Sequence, residues 1–155
     1  MLLSRFLKQE KLVRLHLSPA VAVETGTRLG ESIARMQTAR SGCLIIRHGL
    51  DIVGIFTERD VLTKVVEMGV EMKTPIETLM TRDPKVLTPE HSVADAIRLM
   101  HKGGYRHVPI VAAQGQLAGV CSVRNIVNYL AEHFPHGVYN LPPDLHQVNR
   151  AREGA

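Results

Sequence analysis

The chain contains the same unit twice, and this internal repeat is the strongest constraint that the sequence places on the fold. The segment Gly54–Leu62 (GIFTERDVL) resembles Gly119–Val127 (GVCSVRNIV), with an offset of 65 residues at every matched position. Conservative replacements at a fixed spacing are hard to obtain by chance, and they indicate one supersecondary unit used twice. We therefore expect two similar halves.

Each copy predicts a strand, a helix, a hairpin of two strands and a closing helix. Apolar residues spaced i, i+4 and i+7 place the first helix on one buried face, and two short apolar runs around a glycine-containing turn predict the hairpin. The predicted elements of copy one are Ala20–Val23, the helix of Leu29, Ile33 and Met36, Cys43–Ile46, Ile52–Phe56 and Glu58–Met68. Those of copy two are Lys85–Leu87, the helix of Val93, Ile97 and Met100, Val108–Val111, Leu117–Cys121 and Val123–His133.

Two such units are expected to form one globule. A unit of about 60 residues is marginal for independent stability, because it buries too small a share of its surface. We therefore predict a mixed α/β (α+β) fold, in which two β-α-β-β-α repeats pack about a pseudo-twofold axis. The predicted division is an N-terminal amphipathic helix (1–17), repeat 1 (18–72), a linker with a helical turn (73–84), repeat 2 (85–133) and an extended tail (134–155).

The charge distribution disfavours nucleic-acid and membrane partners. The net charge is +4, with 11 basic and 9 acidic residues in 1–80 and with 8 and 6 in 81–155. A nucleic-acid arm requires a basic block, so an ordinary solvated surface is favoured. No run of 18 apolar residues occurs, and residues 1–17 lack the apolar core of a signal peptide. We expect a cytoplasmic protein.

The two copies resemble a pair of CBS domains, the family named after cystathionine β-synthase, whose paired form is called a Bateman module. The resemblance rests on the segments GIFTERD (Gly54–Asp60), GVCSVRN (Gly119–Asn125), YRHVPI (Tyr105–Ile110) and LMTRDP (Leu79–Pro84). It implies a stand-alone regulatory module that binds AMP, ADP, ATP or a relative such as S-adenosylmethionine in clefts between the repeats. It also implies a homodimer that signals to an unidentified partner protein by conformational change.

By position, the resemblance assigns contacts in two clefts. The implied contacts are Asp60 and Asn125 for the ribose, Thr57 and Ser122 as hydroxyl groups, Arg59, Arg106, His107 and Arg124 for phosphate, Thr27 completing the cleft of Asn125, and His91 completing the other cleft. The chemistry agrees in outline, because a helix N-terminus attracts anions, an aspartate accepts hydrogen bonds from a diol and arginine matches phosphate.

Two alternatives to ligand binding stay open. Thr57 and Asp60 also fit a helix capping box, and Ser122 fits an N-cap, each contributing about 1 kcal/mol. Capping and ligand binding are compatible, since a cap can place the same residue beside a cleft. The pair could also be a purely structural dimerisation or docking module without a ligand. In either case the two clefts are expected to be unequal, because Asn125 lacks the charge of Asp60.

Catalysis and metal binding are not predicted. The sequence shows no nucleophile with its base and no glycine-rich phosphate loop, so we expect neither enzymatic activity nor a catalytic cofactor. His133 and His136 flank a proline and have no evident third partner, so no metal site is expected. Cys43 and Cys121 lie in predicted strands and are expected to be buried, unreactive thiols.

Overall fold

The computed structural model describes residues 2–134, and its elements follow the order that the repeat predicts. They confirm the mixed α+β fold of two packed repeats behind an N-terminal helix. In chain order the elements are α1 (Leu2–Gln9), a 3-10 turn (Leu12–Arg14), β1 (Ala22–Glu24), α2 (Leu29–Ala39), β2 (Cys43–His48), β3 (Asp51–Thr57), α3 (Glu58–Asp60) continued by a π-helix (Val61–Val66), a 3-10 turn (Ile76–Thr78), β4 (Thr81–Arg82), α4 (Val93–Gly103), β5 (His107–Val111), a 3-10 turn (Ala113–Gly115), β6 (Leu117–Ser122) and α5 (Val123–His133).

The two repeats differ in how far their sheets are built. In repeat 1, β1 pairs in parallel with β2, β2 and β3 form the predicted hairpin, and β4 adds to β3. In repeat 2 only the hairpin of β5 and β6 is present, and the predicted strand Lys85–Leu87 is reduced to a single bridge between Leu87 and Ile110. Pro84 and Pro89 flank that segment and lack the N–H groups that a longer ladder needs.

The glycine that opens each repeated motif is required by a close approach of another chain segment. A Cβ atom at Gly54 would collide with the side chain of Met80, and one at Gly119 would lie 3.0 Å from the Ser18 carbonyl oxygen and 3.1 Å from Leu17 Cβ. The segments that approach these glycines are those that lead into repeat 2 and repeat 1, respectively. The motif glycines therefore let the segment that leads into each repeat cross the hairpin of the other repeat.

Three apolar clusters hold residues 2–134 together. One lies within each repeat, and a third joins Cys43, Ile45 and Ile55 of repeat 1 to Val120 of repeat 2. Both cysteines are buried as predicted, and burial raises the pKa of Cys43 to about 11 and that of Cys121 to about 12. The third cluster forms the contact that two incomplete units need.

The N-terminal helix is shorter than predicted. Helix α1 ends at Gln9, and the chain then bends so that the Leu12 N–H donates to the His91 carbonyl oxygen at 2.9 Å. Leu12 and Leu15 become part of the core of repeat 2. The predicted tail lies outside the described residues except Phe134, whose ring meets that of Phe6 edge-on at 4.9 Å.

The closing helix of repeat 1 is shorter and wider than the predicted Glu58–Met68. Three α-helical residues give way at Val61 to a π-helix, which is a rare geometry that is often found near functional sites. The Thr63 hydroxyl donates to the Arg59 carbonyl oxygen at 2.9 Å and competes for that acceptor with the helical backbone. In repeat 2 the matching helix α5 is regular.

The described part of the chain contains neither a membrane-spanning helix nor a cluster of metal-ligating side chains. None of the helices between residues 2 and 134 has the length and hydropathy that a bilayer crossing requires. Over the same residues, no three His, Cys, Asp or Glu side chains lie close enough together to hold a metal ion.

Helix α4 begins with a capping box whose carboxylate makes the stability of the fold depend on pH in the acid range. The Ser92 N–H donates to Asp95 Oδ2 at 3.0 Å. This backbone bond and the side-chain hydrogen bond with Ser92 lower the pKa of Asp95 below its ordinary value of 3.8. A carboxylate with a depressed pKa stabilises the fold above its unfolded pKa and stops doing so as pH falls through the folded value. We expect Asp95→Asn to destabilise the protein at pH 7 in urea unfolding, and this difference to shrink below about pH 3.8. An equal difference at both pH values would contradict this account.

Candidate functional site

Two clefts lie on either side of the contact between the repeats. Cleft 1 has a volume of about 300 Å³ and lies at the start of α3, whereas cleft 2 has about 600 Å³ and lies at the start of α5. Cleft 1 is lined by Gly42, Ile55, Thr57, Glu58, Arg59, Asp60, Thr81, Arg82, Asp83, Pro84, Lys85, Gly103, Gly104, Tyr105, Arg106 and His107. Cleft 2 is lined by Ser18, Pro19, Val21, Ala39, Arg40, Ser41, Gly42, Cys43, Glu58, Arg106, His107, Val120, Ser122, Val123 and Arg124.

The clefts share one wall, and its backbone bonds repeat the internal symmetry. Gly42, Glu58, Arg106 and His107 line both clefts. The Glu58 N–H donates to the Gly42 carbonyl oxygen at 3.1 Å, and the Val123 N–H donates to the Arg106 carbonyl oxygen at the same distance. In each repeat this bond ties the start of the closing helix to the loop before the hairpin.

His107, which belongs to the shared wall, is held in its neutral form at pH 7. Burial lowers the pKa of His107 below its usual value of 6.5, and the charge of Arg106 lowers it as well, whereas the Glu58 carboxylate acts in the opposite direction. A neutral imidazole can still donate one hydrogen bond to a ligand. It brings no positive charge to either cleft above its pKa.

Asp60 is a buried carboxylate that lines cleft 1 and is bonded on both of its oxygens. Oδ2 accepts the Thr57 N–H at 2.8 Å and the Thr57 hydroxyl at 3.1 Å, and Oδ1 lies 3.0 Å from Lys64 Nζ. An ionised carboxylate has about four acceptor positions, so these bonds leave one on Oδ1. The capping box is therefore real, and it leaves Asp60 able to accept one further hydrogen bond.

Asn125 makes the same capping box in repeat 2, but its side chain has no bonding capacity left. Oδ1 accepts the Ser122 N–H at 2.7 Å and the Ser122 hydroxyl at 2.9 Å. Nδ2 donates to the His16 carbonyl oxygen at 3.1 Å and to Ser18 Oγ at 3.2 Å. Asn125 thus fastens the segment that leads into repeat 1, and it is not among the residues that line cleft 2.

Eight of the ten predicted site residues lie in or beside the two clefts, and two do not. Thr57, Arg59, Asp60, Arg106 and His107 line cleft 1, while Ser122 and Arg124 line cleft 2 with Asn125 beside it. Thr27 instead lines a separate groove with Arg35 and Arg47, and its hydroxyl closes a turn by donating to the Glu24 carbonyl oxygen at 2.7 Å. His91 accepts the Thr88 N–H on Nδ1 at 3.0 Å and lines neither cleft. The structure does not bring Thr27 or His91 to the two clefts, because each side chain bonds within a local turn.

Sequence reasoning missed several lining residues. Arg82, Asp83 and Lys85 of the connecting segment line cleft 1, and Arg40 and Glu58 line cleft 2. Arg40 alone had a recognisable signal, because it stands one residue before the position that matches Arg106 at the offset of the repeat. Arg82, Asp83 and Lys85 depend on how the connecting segment folds back on β3, and Glu58 depends on how the start of α3 packs against the loop before β2.

Comparison with known proteins now decides the family. A profile described as the CBS domain matches residues 13–67 and 76–132, which together exceed half of the chain. This chain belongs to the CBS domain family. Each matched segment contains a capping box at the start of its closing helix, and residues of both segments line each of the two clefts.

Similar proteins include other proteins described as containing CBS domains. A 17.7 kDa protein of Acidianus ambivalens is 28% identical over 123 residues, covering 79% of this chain and 74% of the relative. The chain spans only 18% of the CBS domain-containing protein CBSCBSPB1 of Arabidopsis thaliana, to which it is 34% identical over 101 residues. A CBS domain protein of Pyrobaculum aerophilum, solved in complex with AMP, shows a TM-score of 0.69 at 24% identity, over 79% of this chain and 98% of that one. At this identity the likeness shows the fold.

Proposed function

We propose that this CBS pair is a non-catalytic regulatory module that binds an adenine nucleotide, AMP, ADP or ATP, in the clefts between its domains. The observation that carries the proposal is Asp60, a buried carboxylate at the wall of cleft 1 that keeps one acceptor position open. A ribose hydroxyl is a donor that such a position suits. A ligand there would also meet the guanidinium groups of Arg59, Arg82 and Arg106, which match phosphate.

Ligands of similar folds support the adenine part of the proposal. The AMP complex of the Pyrobaculum aerophilum protein shows that a CBS protein of this fold accepts that nucleotide. The CBS pair of protein MJ0100, solved with 5′-methylthioadenosine and S-adenosyl-L-methionine, has a TM-score of 0.71 at 19% identity, over 79% of this chain and 97% of that one. Adenosine is common to these ligands, so S-adenosylmethionine belongs in the same screen.

A thermal-shift screen tests the proposal directly. A ligand at 100 times its dissociation constant stabilises the folded state by about 2.7 kcal/mol, which in a chain of this size raises the midpoint by about 6–10 °C. We expect this shift with at least one of AMP, ADP, ATP and S-adenosylmethionine, and a smaller one with GMP and CMP. No shift with any adenine compound at about 1 mM would favour the docking module without a ligand.

We also propose that the protein forms a homodimer through the closing helices of its two repeats. Leu62 and Val66 are 64% and 68% exposed, and Val123 and Val127 are 43% and 56% exposed. Leu62 and Val127 occupy matching positions of the repeat. An isologous interface uses the same patch of both subunits, so each copy would supply both of these exposed apolar stretches. A second copy of the chain is therefore the occupant that fits it.

The dimer proposal is tested by charging this surface. The double variant Leu62→Asp, Val127→Asp is expected to sediment as a monomer at a concentration where the wild type sediments as a dimer, because burying two unpaired carboxylates is costly. Leu50→Asp is the matched control, since Leu50 is 87% exposed on the hairpin turn of repeat 1. A double variant that stays dimeric would place the interface elsewhere.

Signalling would use the wall that the clefts share. A ligand in either cleft contacts Glu58, Arg106 or His107, and it can shift the arrangement of the repeats only by the difference in its affinity for the two states. That a partner protein responds to this shift stays a prediction. The cytoplasmic location of the protein stays a prediction as well.

A further inference from the structure

Cleft 2 has a different charge pattern from cleft 1. The residues that line it include three arginines, Arg40, Arg106 and Arg124, and one acidic residue, Glu58. Cleft 1 has four cationic side chains and three carboxylates, namely Arg59, Arg82, Lys85, Arg106, Glu58, Asp60 and Asp83. Cleft 2 therefore has the larger excess of positive charge as well as the larger volume.

The polar side chains at the start of α5, beside cleft 2, have no hydrogen-bonding capacity left for a ribose. Both lone pairs of Asn125 Oδ1 and both N–H groups of Nδ2 are used by Ser122, His16 and Ser18. The Ser122 hydroxyl donates its proton to Asn125, so it has none for a ligand. A nucleotide in this cleft would have to break the clamp on the segment before repeat 1 in order to be held by its ribose.

Arg40, which lines cleft 2, has a backbone conformation that is unusual for an arginine. It lies at the C-terminal end of α2 in the left-handed conformation, with φ 51° and ψ 41°, where repeat 2 has Gly104 with φ 70°. Only glycine adopts this conformation without strain. The arginine thus occupies a position that favours glycine, and it lines the cleft. Backbone strain of this kind is concentrated at active sites and ligand-binding sites.

We propose that cleft 2 is a phosphate-recognition site, which takes the polyphosphate group of a nucleoside triphosphate or inorganic polyphosphate and does not select for ribose. Three planar guanidinium groups can form paired hydrogen bonds with successive phosphates, and Glu58 is the one lining carboxylate that opposes them. The assignment deepens the proposed function, and it rests on that function only where the phosphate belongs to a nucleotide.

The first experiment uses sodium tripolyphosphate as the probe in isothermal titration. We expect the wild type to bind it, and Arg124→Ala and Arg40→Gly each to bind it at least about tenfold more weakly. Arg40→Gly relieves backbone strain, so its unfolding midpoint should equal or exceed that of the wild type. Arg98→Ala is the matched control, because Arg98 is an exposed arginine of α4 outside both clefts. Absence of binding to the wild type, or equal binding by all variants, would overturn the proposal.

The second experiment separates the two clefts and the two sources of phosphate. In an Asp60→Ala protein, ATP and 2′,3′-dideoxy-ATP should bind with affinities within about twofold of each other, and a tenfold preference for ATP would overturn the proposal. ATP binding more tightly than tripolyphosphate would identify the ligand as a nucleotide, and equal affinities would identify it as the phosphate chain. If AMP and ATP do not bind the wild type but tripolyphosphate does, the proposed function fails and cleft 2 remains a phosphate site.

Discussion

Asp60→Ala is expected to weaken AMP binding in cleft 1 by about 10- to 100-fold, because a hydrogen bond to a charged group contributes about 1.5–3 kcal/mol. The variant also loses the bonds from Thr57 and the ion pair with Lys64. Its free energy of unfolding should therefore fall by about 1–2 kcal/mol, which is the usual range for a lost cap. Titration calorimetry and urea unfolding measure the two effects separately.

Asp95→Ala is the matched control for this variant. Asp95 occupies the same position of a capping box, with Ser92 as the N-cap and Arg98 in place of Lys64, but it lies outside both clefts. The control should lose similar stability and keep the affinity for AMP. If both variants changed the affinity equally, Asp60 would be a cap and nothing more.

Gly119→Val is expected to lower the free energy of unfolding by about 3 kcal/mol, the upper end of the range for overpacking. A side chain there would press on the Ser18 carbonyl oxygen, which is backbone and cannot rotate away. The Ser18 N–H and carbonyl bond to Val120 at 3.0 and 2.9 Å, so the bridge that holds this segment would be strained as well.

The control for this variant is Ala118→Val, on the same strand but exposed. It should change stability by less than about 0.5 kcal/mol, as surface substitutions usually do. Urea unfolding of both variants makes the comparison. A Gly119→Val protein as stable as the control would mean that the crossing segment moves away freely.

The elements that were predicted well are those that a local pattern determines. Both hairpins, the helices α2, α4 and α5 and the buried cysteines follow from apolar periodicity and turn residues. The errors lie where distant contacts decide. Helix α1 ends early because the chain from Leu12 onward bonds to the segment before α4. Strand β4 forms because the linker folds back onto β3. A strand of two residues is too short to show a periodicity in the sequence.

The candidate site shows the same division. Thr57, Asp60, Ser122 and Asn125 were identifiable because the motif occurs twice, and the capping boxes are confirmed. Thr27 and His91 were assigned by position alone, and local turns use them. Their positions in the sequence do not indicate which hydrogen-bond partner each side chain finds.

The sequence by itself determined that two incomplete units share a core, since the repeat and its apolar spacing require it. It also determined where each closing helix starts. The sequence also predicts unequal clefts, because Asn125 stands where repeat 1 has Asp60. Only the tertiary structure decided which hydrogen-bonding positions each of these two side chains keeps. Asp60 pairs with Lys64 and keeps one acceptor position free on Oδ1, whereas the Asn125 amide group donates both of its N–H groups to His16 and Ser18. Similar motifs acquire different chemistry because the hydrogen-bonding capacity of a side chain is finite, and neighbours distant in sequence use it first.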